Sequence, residues 1–534
     1  MKSKDTFIES DFQETYGYRE EVKMIIYNSL RRFSAAIAIA FILSSTQIAA
    51  ATPLENETDD VDISDAIFDE LSNDQVIMAH WIDVICEDGV VTLSGRVGSV
   101  LAKERAALIA GTVRGTRAVV NLLDIVPPEP VSDKALEANI REAWVTDPAT
   151  DSYELEVSAS GGSVTISGEV DSWQEKRLSA MVAKGVNGVI KINNDITIQD
   201  SGPRSDSEIV NEIEQAIRWD ALVDGALVQV TASNGRVTLS GIVGSLAEKR
   251  RIINHAFLAE AKVVYTEALR IDFNQRNPDL RGNKYLNLND TEIRQAVGDV
   301  LFRDPRVAPY HLVVEVENGV VTLRGIVDNL KAKQAAFRSA QNTVGVSRVI
   351  NRLRVRPEGV YLDAEIKHSV SRSLQRDPFI ERERIVIAVH AGVVELNGSV
   401  NSSFERLRAE ELAMRVNGVV GVNNHIAVNS APIPYPYNPY VDDWYASQTP
   451  FPFEPGRLKT TKSDFEIILD IERELYWSPF VDSDTVHVEK VEDGVATLTG
   501  TFDLRSEFIA ATKNAYDGGA IAVDNKLVYR DAEH

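Results

Sequence analysis

The side chains best suited to chemistry are few and scattered. Eight histidines stand at 80, 255, 311, 368, 390, 425, 487 and 534. No two of them have the His-x-x-x-His spacing that sets two imidazoles on one helix face for a metal ion. The single cysteine, Cys86, has no partner for an internal disulfide. It sits in an apolar and acidic run with no basic neighbour to favour a thiolate, so it reads as a small buried residue rather than a nucleophile. A Gly-x-Ser-x-Gly elbow with triad partners is not recognisable. Acidic residues number 80, but they fall at helix starts and on strand exteriors, the usual solvated positions. No catalytic residue, cofactor or metal ligand is assigned, and the chain is not expected to be an enzyme.

What does recur is a short glycine-flanked strand. It runs Gly89-Val-Val-Thr-Leu-Ser-Gly95 and returns five times, ending at Gly168, Gly241, Gly325, Gly398 and Gly500. The spacings between these second glycines are 73, 73, 84, 73 and 102 residues, so the unit is 73 residues and the two longer intervals contain linkers. The motif is a poor phosphate loop, because the spacing is wrong and no Lys-Ser/Thr follows. The glycines are read as backbone positions for a turn or a close helix approach.

The elements that place this strand repeat with it. Each unit opens on a capped helix, with Ser205-x-x-Glu208 and Ser463-x-x-Glu466 as capping boxes. Asp147-Pro148, Asp304-Pro305, Asp377-Pro378 and Ser478-Pro479 end that helix, since the residue before proline avoids the helical region. A hairpin follows, and then a second helix capped by Ser99, Ser172, Ser245, Asn329 or Ser402. A last strand carries an asparagine, Asn193, Asn351 or Asn423. The order is α-β-β-α-β. The hairpin strands must be antiparallel, and the helix crossover makes the second and third parallel. The expected fold is α+β: six tandem small αββαβ modules, each a three-stranded mixed sheet with both helices on one face.

The expected boundaries are 62–127, 131–199, 204–273, 288–357, 361–429 and 462–530. Residues 1–51 form an N-terminal extension and signal peptide: Arg31-Arg32 precede a short apolar run at 33–43, and Ala49-Ala50-Ala51 offer a cleavage site. The apolar run is short for a membrane span. No cysteine follows the site for a lipid anchor. The first 23 residues are polar and net acidic, which suits a translation start at Met24. Residues 430–461 form a linker in which prolines alternate with Tyr435, Tyr437, Tyr440, Trp444, Tyr445, Phe451 and Phe453. It is expected to be extended and semi-rigid, and these aromatics are candidates for a partner or membrane interface.

The net charge of −24 disfavours nucleic acid and anionic membrane as non-specific partners. It is unevenly shared. Module four carries +4, whereas module six carries −7. Lys331, Lys333, Arg338, Arg348, Arg352, Arg354 and Arg356 are therefore the candidate contacts to an anionic surface.

The module resembles the BON domain, named for bacterial OsmY and nodulation proteins. The residues that carry the resemblance are the Gly-x-Val-Thr-Leu-x-Gly-x-Val strand, the Ser-capped helix with Lys103-Glu104-Arg105, Glu175-Lys176-Arg177 or Glu248-Lys249-Arg250, and the terminal Gly-Val-x-x-Val-x-Asn. Module three departs from it by losing the terminal glycine and asparagine, and module six by placing Asp524 at the first asparagine, which suggests spacers at those positions. The resemblance implies a non-catalytic periplasmic protein, peripheral to the outer membrane, that binds phospholipid or envelope proteins under osmotic stress. A periplasmic holdase and a secretin-like scaffold are the alternatives. Neither nucleic acid nor any cofactor is implied, and the oligomeric state is left open.

Overall fold

The computed structural model describes residues 59–529, apart from 75, 78, 128–129, 148–149, 151–153, 200–203, 273–287, 305, 430–461, 479 and 503–504. The signal peptide, the Met24 start and the aromatic linker lie outside the described residues. Successive modules contribute the helices α1 and α2 (Asp60–Asn73, Val100–Ala110), α3 and α4 (Asp133–Thr146, Trp173–Lys184), and α5 and α6 (Asp206–Trp219, Leu246–Leu258). They continue with α7 and α8 (Asp290–Arg303, Leu330–Gln341), α9 and α10 (Asp363–Arg376, Ser403–Met414), and α11 and α12 (Asp464–Trp477, Arg505–Asp517). The helix α1 begins at Asp60, ahead of the expected boundary at 62.

In all six sheets the repeated strand is central. It pairs antiparallel with the first strand and parallel with the third. The third strand is continuous in modules two to four. In modules one, five and six it breaks into two short pieces, for example Ala118–Asn121 and Asp124–Ile125. Each module has its own core. In module four Ile293 and Val297 of α7, Ala332, Ala335 and Ala336 of α8, and Val321, Leu323 and Leu353 of the sheet enclose one apolar cluster. Both helices thus lie on one face, and the other face of the sheet stays open.

Three local devices repeat. The hairpin turn has two residues of positive φ, such as Asn234 (56°) and Gly235 (74°), the geometry that suits the twist of the flanking strands. The first residue of the opening helix is Asp60, Asp133, Asp206, Asp290, Asp363 or Asp464, and its carboxylate accepts from both turn amides. For Asp206 these are Asn234 N (2.8 Å) and Gly235 N (2.7 Å). The helix start and the hairpin tip are thereby tied together by charge-assisted bonds. The second motif glycine solves a packing problem. At Gly241 φ is 112°, and a Cβ would stand 1.9 Å from the carbonyl oxygen of Leu227. The close approach is thus to backbone ahead of the first strand, not to a helix.

The asparagine of the last strand ties that strand to the second helix. Asn194, Asn351 and Asn424 donate to the carbonyls of Lys176, Lys333 and Arg406 at 3.4, 2.9 and 2.8 Å. In modules two and five the working residue is therefore the one after the expected Asn193 and Asn423. Module six keeps the tie through Asn525, which donates to Phe508 O at 3.1 Å, so Asp524 does not mark a lost feature. Module three replaces it: Lys249 Nζ donates to Thr266 O (3.1 Å) and Leu269 O (2.8 Å), across a register shift between Tyr265 and Ala268.

The modules are not beads on a string. The first residue of each second helix in the first half docks on another module, at sequence positions 73 apart. Val100 enters the core cluster of module two. Trp173 stacks on Phe257 of module three at 5.4 Å and 9°. Leu246 lies beside Gly111 of module one, where Arg250 Nη1 also donates to Ala107 O at 3.3 Å. One, two and three thus close head to tail into a ring. Module four uses the same joint on module five, with Leu330 packed against that core.

The second half folds back on the first. Modules two and five meet through their opening-helix ends: Asn187 N donates to Arg376 O (2.7 Å) and Asn417 N donates to Thr146 O (3.2 Å). These are equivalent positions exchanged, as a local two-fold requires. Modules three and four meet in the same place, with Val344 N to Trp219 O (3.0 Å) and Ala221 N to Asn342 O (2.9 Å). Modules one and six meet through Lys513 and Glu70 (3.0 Å) and through Arg114, whose guanidinium lies 4.3 Å over the Tyr476 ring. The pairing is nested: one with six, two with five, three with four.

Candidate functional site

Chemistry-bearing groups are used structurally. Cys86 is buried and its thiol donates to Asp60 Oδ1 at 3.1 Å. Burial, with the Asp60 carboxylate beside it, pushes the thiol up to about 12, so it stays protonated. His255 bonds Asp220, which Arg251 also holds; despite burial, these partners keep that carboxylate well below its usual range. Among the described residues no group of three or more His, Cys, Asp or Glu is arranged to hold a metal ion.

The surface that stands out is the open sheet face of module four. Its last strand, Arg348–Val355, alternates sides. Val349, Leu353 and Val355 pack into the core. Arg348, Arg352 and Arg354 take the opposite parity and are exposed, with Arg356 exposed just beyond the strand end. Parallel register sets Arg352 beside Arg324, and Arg354 beside Ile326. Arg324 Nε donates to Glu315 Oε2 at 3.0 Å across the hairpin, with both side chains about half exposed. Val313 and Ile326, each 54% exposed, leave aliphatic surface between the arginines.

Alternate residues on a strand repeat every ~6.6 Å. The face is therefore a row of planar cationic forks separated by apolar patches. Such forks grip phosphate or carboxylate in two-point hydrogen bonds, and they carry no nucleophile or general base. Module two shows how little of this follows from the fold: its equivalent strand offers Lys191, Asp195 and Thr197 at the same parity.

The other basic candidates of module four lie elsewhere, and this corrects the sequence expectation for two of them. Lys331 is 9% exposed, on the first turn of α8, and donates to Glu411 of module five at 3.2 Å. Burial pulls its ammonium down to about 7 against the attraction of Glu411. Arg338 is 8% exposed on the same helix. Lys331 is inward because the docking joint between modules four and five covers the first turn of α8. Lys333 is half-buried, and burial lowers its affinity for a proton. A count of charge per module cannot separate these two faces; the parity of the last strand can. The aromatic candidates Tyr435, Tyr437, Tyr440, Trp444, Tyr445, Phe451 and Phe453 lie outside the described residues.

The sequence reading missed the aspartate that ties each helix start to its hairpin. Its signal was available: the aspartate precedes the first motif glycine by 29 residues in five modules and by 30 in the sixth.

Comparison with known proteins agrees with the repeat. The family model described as "BON domain" matches residues 59–127, 132–200, 205–262, 289–357, 362–430 and 463–531. Its third match stops at Lys262, where the last strand of module three leaves the pattern but not the fold. Among curated proteins the chain is similar to the osmotically-inducible protein Y of Escherichia coli (strain K12), with 30% identity over 145 residues, covering 26% of this chain and 72% of that protein. Two solved structures of CdsD, a structural protein of the type III secretion system of Chlamydia trachomatis, align at 14% and 13% identity. They cover 40% and 42% of this chain and 97% and 100% of theirs, each at a TM-score of 0.12, too low to define a common arrangement. With the family model matched six times over most of its length, the chain belongs to the BON domain family.

Proposed function

We propose that this chain is an exported, non-catalytic binding protein that docks on anionic phospholipid of the cell envelope through the open sheet face of module four and serves in osmotic or envelope stress. The observation that carries this reading is the exposed row Arg348, Arg352, Arg354 and Arg356, with Arg324 beside it. It is a local concentration of positive charge on a chain of net charge −24. The overall repulsion makes such binding dependent on this patch rather than on bulk charge. Export follows from the signal-peptide reading of residues 1–51, and no helix among the described residues is long and apolar enough to cross a membrane. Kinship with an osmotically inducible protein supports the stress role.

The test is co-sedimentation of the full mature chain with phosphatidylglycerol vesicles at low and high salt. Binding is expected to fall with salt, because counterions screen exposed charges over about 10 Å at 0.1 M. It is also expected to be lost when Arg348, Arg352, Arg354 and Arg356 are changed together to Glu. Equal binding to neutral phosphatidylcholine vesicles, or unchanged binding by the variant, overturns the reading.

A further inference from the structure

The open sheet faces of the modules share a shape but not a surface, and two of them are complementary. In module one the first strand (Ile82–Glu87) turns Ile82, Val84 and Cys86 into the core, and the last strand turns Leu123 and Ile125 the same way. The opposite parity is left in solvent. It carries Asp83, Ile85 and Glu87 on the first strand and Leu122, Asp124 and Val126 on the last, all exposed. Ile85, Leu122 and Val126 are each more than half exposed, and Trp81 stands equally open one residue ahead of the first strand. Both edges thus alternate an aliphatic side chain with an acid. Arg96, set beside Asp124 by parallel register, is the one basic side chain at that parity in these strands. Neighbouring exposed aliphatic side chains mark a surface that gains from being covered. The fold does not demand them: module two holds Glu156, Ser158, Ser160, Ser163, Thr165 and Ser167 on its equivalent face.

We propose that the open face of module one docks on the open face of module four in a second copy of this chain, joining molecules head to tail. The module-four face has the same alternation with the sign reversed: arginines separated by Val313 and Ile326. Asp83 and Glu87 lie four residues apart on their strand, as Arg348 and Arg352 do on theirs, a spacing of ~13 Å in each case. Sheets packed face to face interleave their side chains at ~10 Å, so acids meet arginines while the aliphatic groups between them leave water. Complementary charge also selects the pairing, because one arginine face repels another and one acidic face repels another. Both faces stay exposed within a single molecule, so the partner is another copy. Two different patches that meet in this way leave one of each free at the ends, and growth continues rather than closing on a dimer. Three strands ~4.8 Å apart and eight residues long offer a face of roughly 14 by 26 Å, on the order of 400 Å². Stable complexes cover about 800 Å² per partner, so the junction is weak and forms only when the chain is concentrated. It occupies the face assigned above to lipid, but it rests on the match with module one and stands whether or not lipid binds there.

The experiment is sedimentation velocity of the full mature chain without lipid, over a hundredfold range of concentration. The wild type should sediment faster as it is concentrated, with no plateau at a dimer, and less so at high salt. One variant reverses the module-one face (Asp83→Lys, Glu87→Lys and Asp124→Lys together). The other reverses the module-four face (Arg348→Glu, Arg352→Glu, Arg354→Glu and Arg356→Glu together). Each alone should stay monomeric, with the circular dichroism of the wild type. Mixed in equal amounts they should associate again, because the lysine face of one then meets the glutamate face of the other. Ile85→Ser with Leu122→Ser leaves the charge unchanged and should raise the dissociation constant at least tenfold. Phosphatidylglycerol vesicle binding by that uncharged variant is read separately: its loss or retention bears on the lipid reading, and its sedimentation bears on this one. A wild type that is monomeric at every concentration overturns the proposal. So does a plateau at a dimer, self-association of either reversed variant, or a mixture of the two that stays monomeric.

Discussion

The pairs two:five and one:six occupy equivalent places in the nested arrangement and solve the same problem differently. In two:five the helix-end carbonyls of Thr146 and Arg376 are capped by amides from the opposite module. These groups lack partners within their own helices, so the pairing satisfies what each module leaves open. Charge is balanced as well, since Glu142 receives Arg372 at 2.8 Å and Arg376 at 3.0 Å. In one:six the contacts seen are between side chains: Lys513 pairs with Glu70 and with its own helix's Asp517, each at 3.0 Å, and Arg114 lies over the Tyr476 ring. One interface combines main-chain bonds with ion pairs, and the other relies on side-chain contacts. The lesson is that a repeated fold fixes where modules meet, while side chains decide how the meeting is held.

This contrast can be broken at four places. The largest effect is expected from Glu142→Ala, which strands Arg376, only 5% exposed at its side chain, without its carboxylate. A loss of about 3 kcal/mol is expected in urea denaturation of the part containing modules two and five. Those arginines hold Glu142 below its usual range, so its contribution is present above the ordinary carboxylate range and fades as acid protonates it. Lys513→Met should come next, costing about 2 kcal/mol at neutral pH by leaving Glu70 and Asp517 without their shared ammonium. Its cost should shrink as pH falls, because burial raises the Asp517 carboxyl, the opposite pH trend to Glu142→Ala. Arg114→Ala removes the cation over Tyr476 and should cost about 1 kcal/mol, read as an earlier midpoint in urea denaturation. Asn187→Ala should have the smallest effect, within about 0.5 kcal/mol, because the backbone amide makes the bond to Arg376 O. A large loss there would mean that the Asn187 side chain itself contributes to the joint.

The fold of one module was largely legible. Period-two strands, capping boxes at Ser205 and Ser463 and proline stops after Thr146 and Arg376 all act locally, and the structure places each as read. The last-strand asparagine was visible but misplaced by one residue in modules two and five, where a pair stands together as Asn193-Asn194 and Asn423-Asn424. Only strand parity decides which of the pair reaches the helix. The arginine row was counted with Lys331 and Arg338 because composition carries no direction. What could not be read was the nested pairing. Its main-chain bonds leave no mark in side-chain type, and the docking joint uses Val100, Trp173, Leu246 and Leu330, which share a position but range over three residue types. A common offset, rather than a common letter, was the only trace.

The nested order has a mechanical meaning. Modules one and six lie at opposite ends of the described chain yet touch each other, so tension between those ends is borne first by their contact, beside which Phe379 of module five also packs on module one. Next in line are two with five, then three with four. A pulled molecule should lengthen in discrete steps from the open end toward the fold-back, with module six leaving first. Under load the chain would act as a short extensible tether, whose first increment of length is the easiest to draw out.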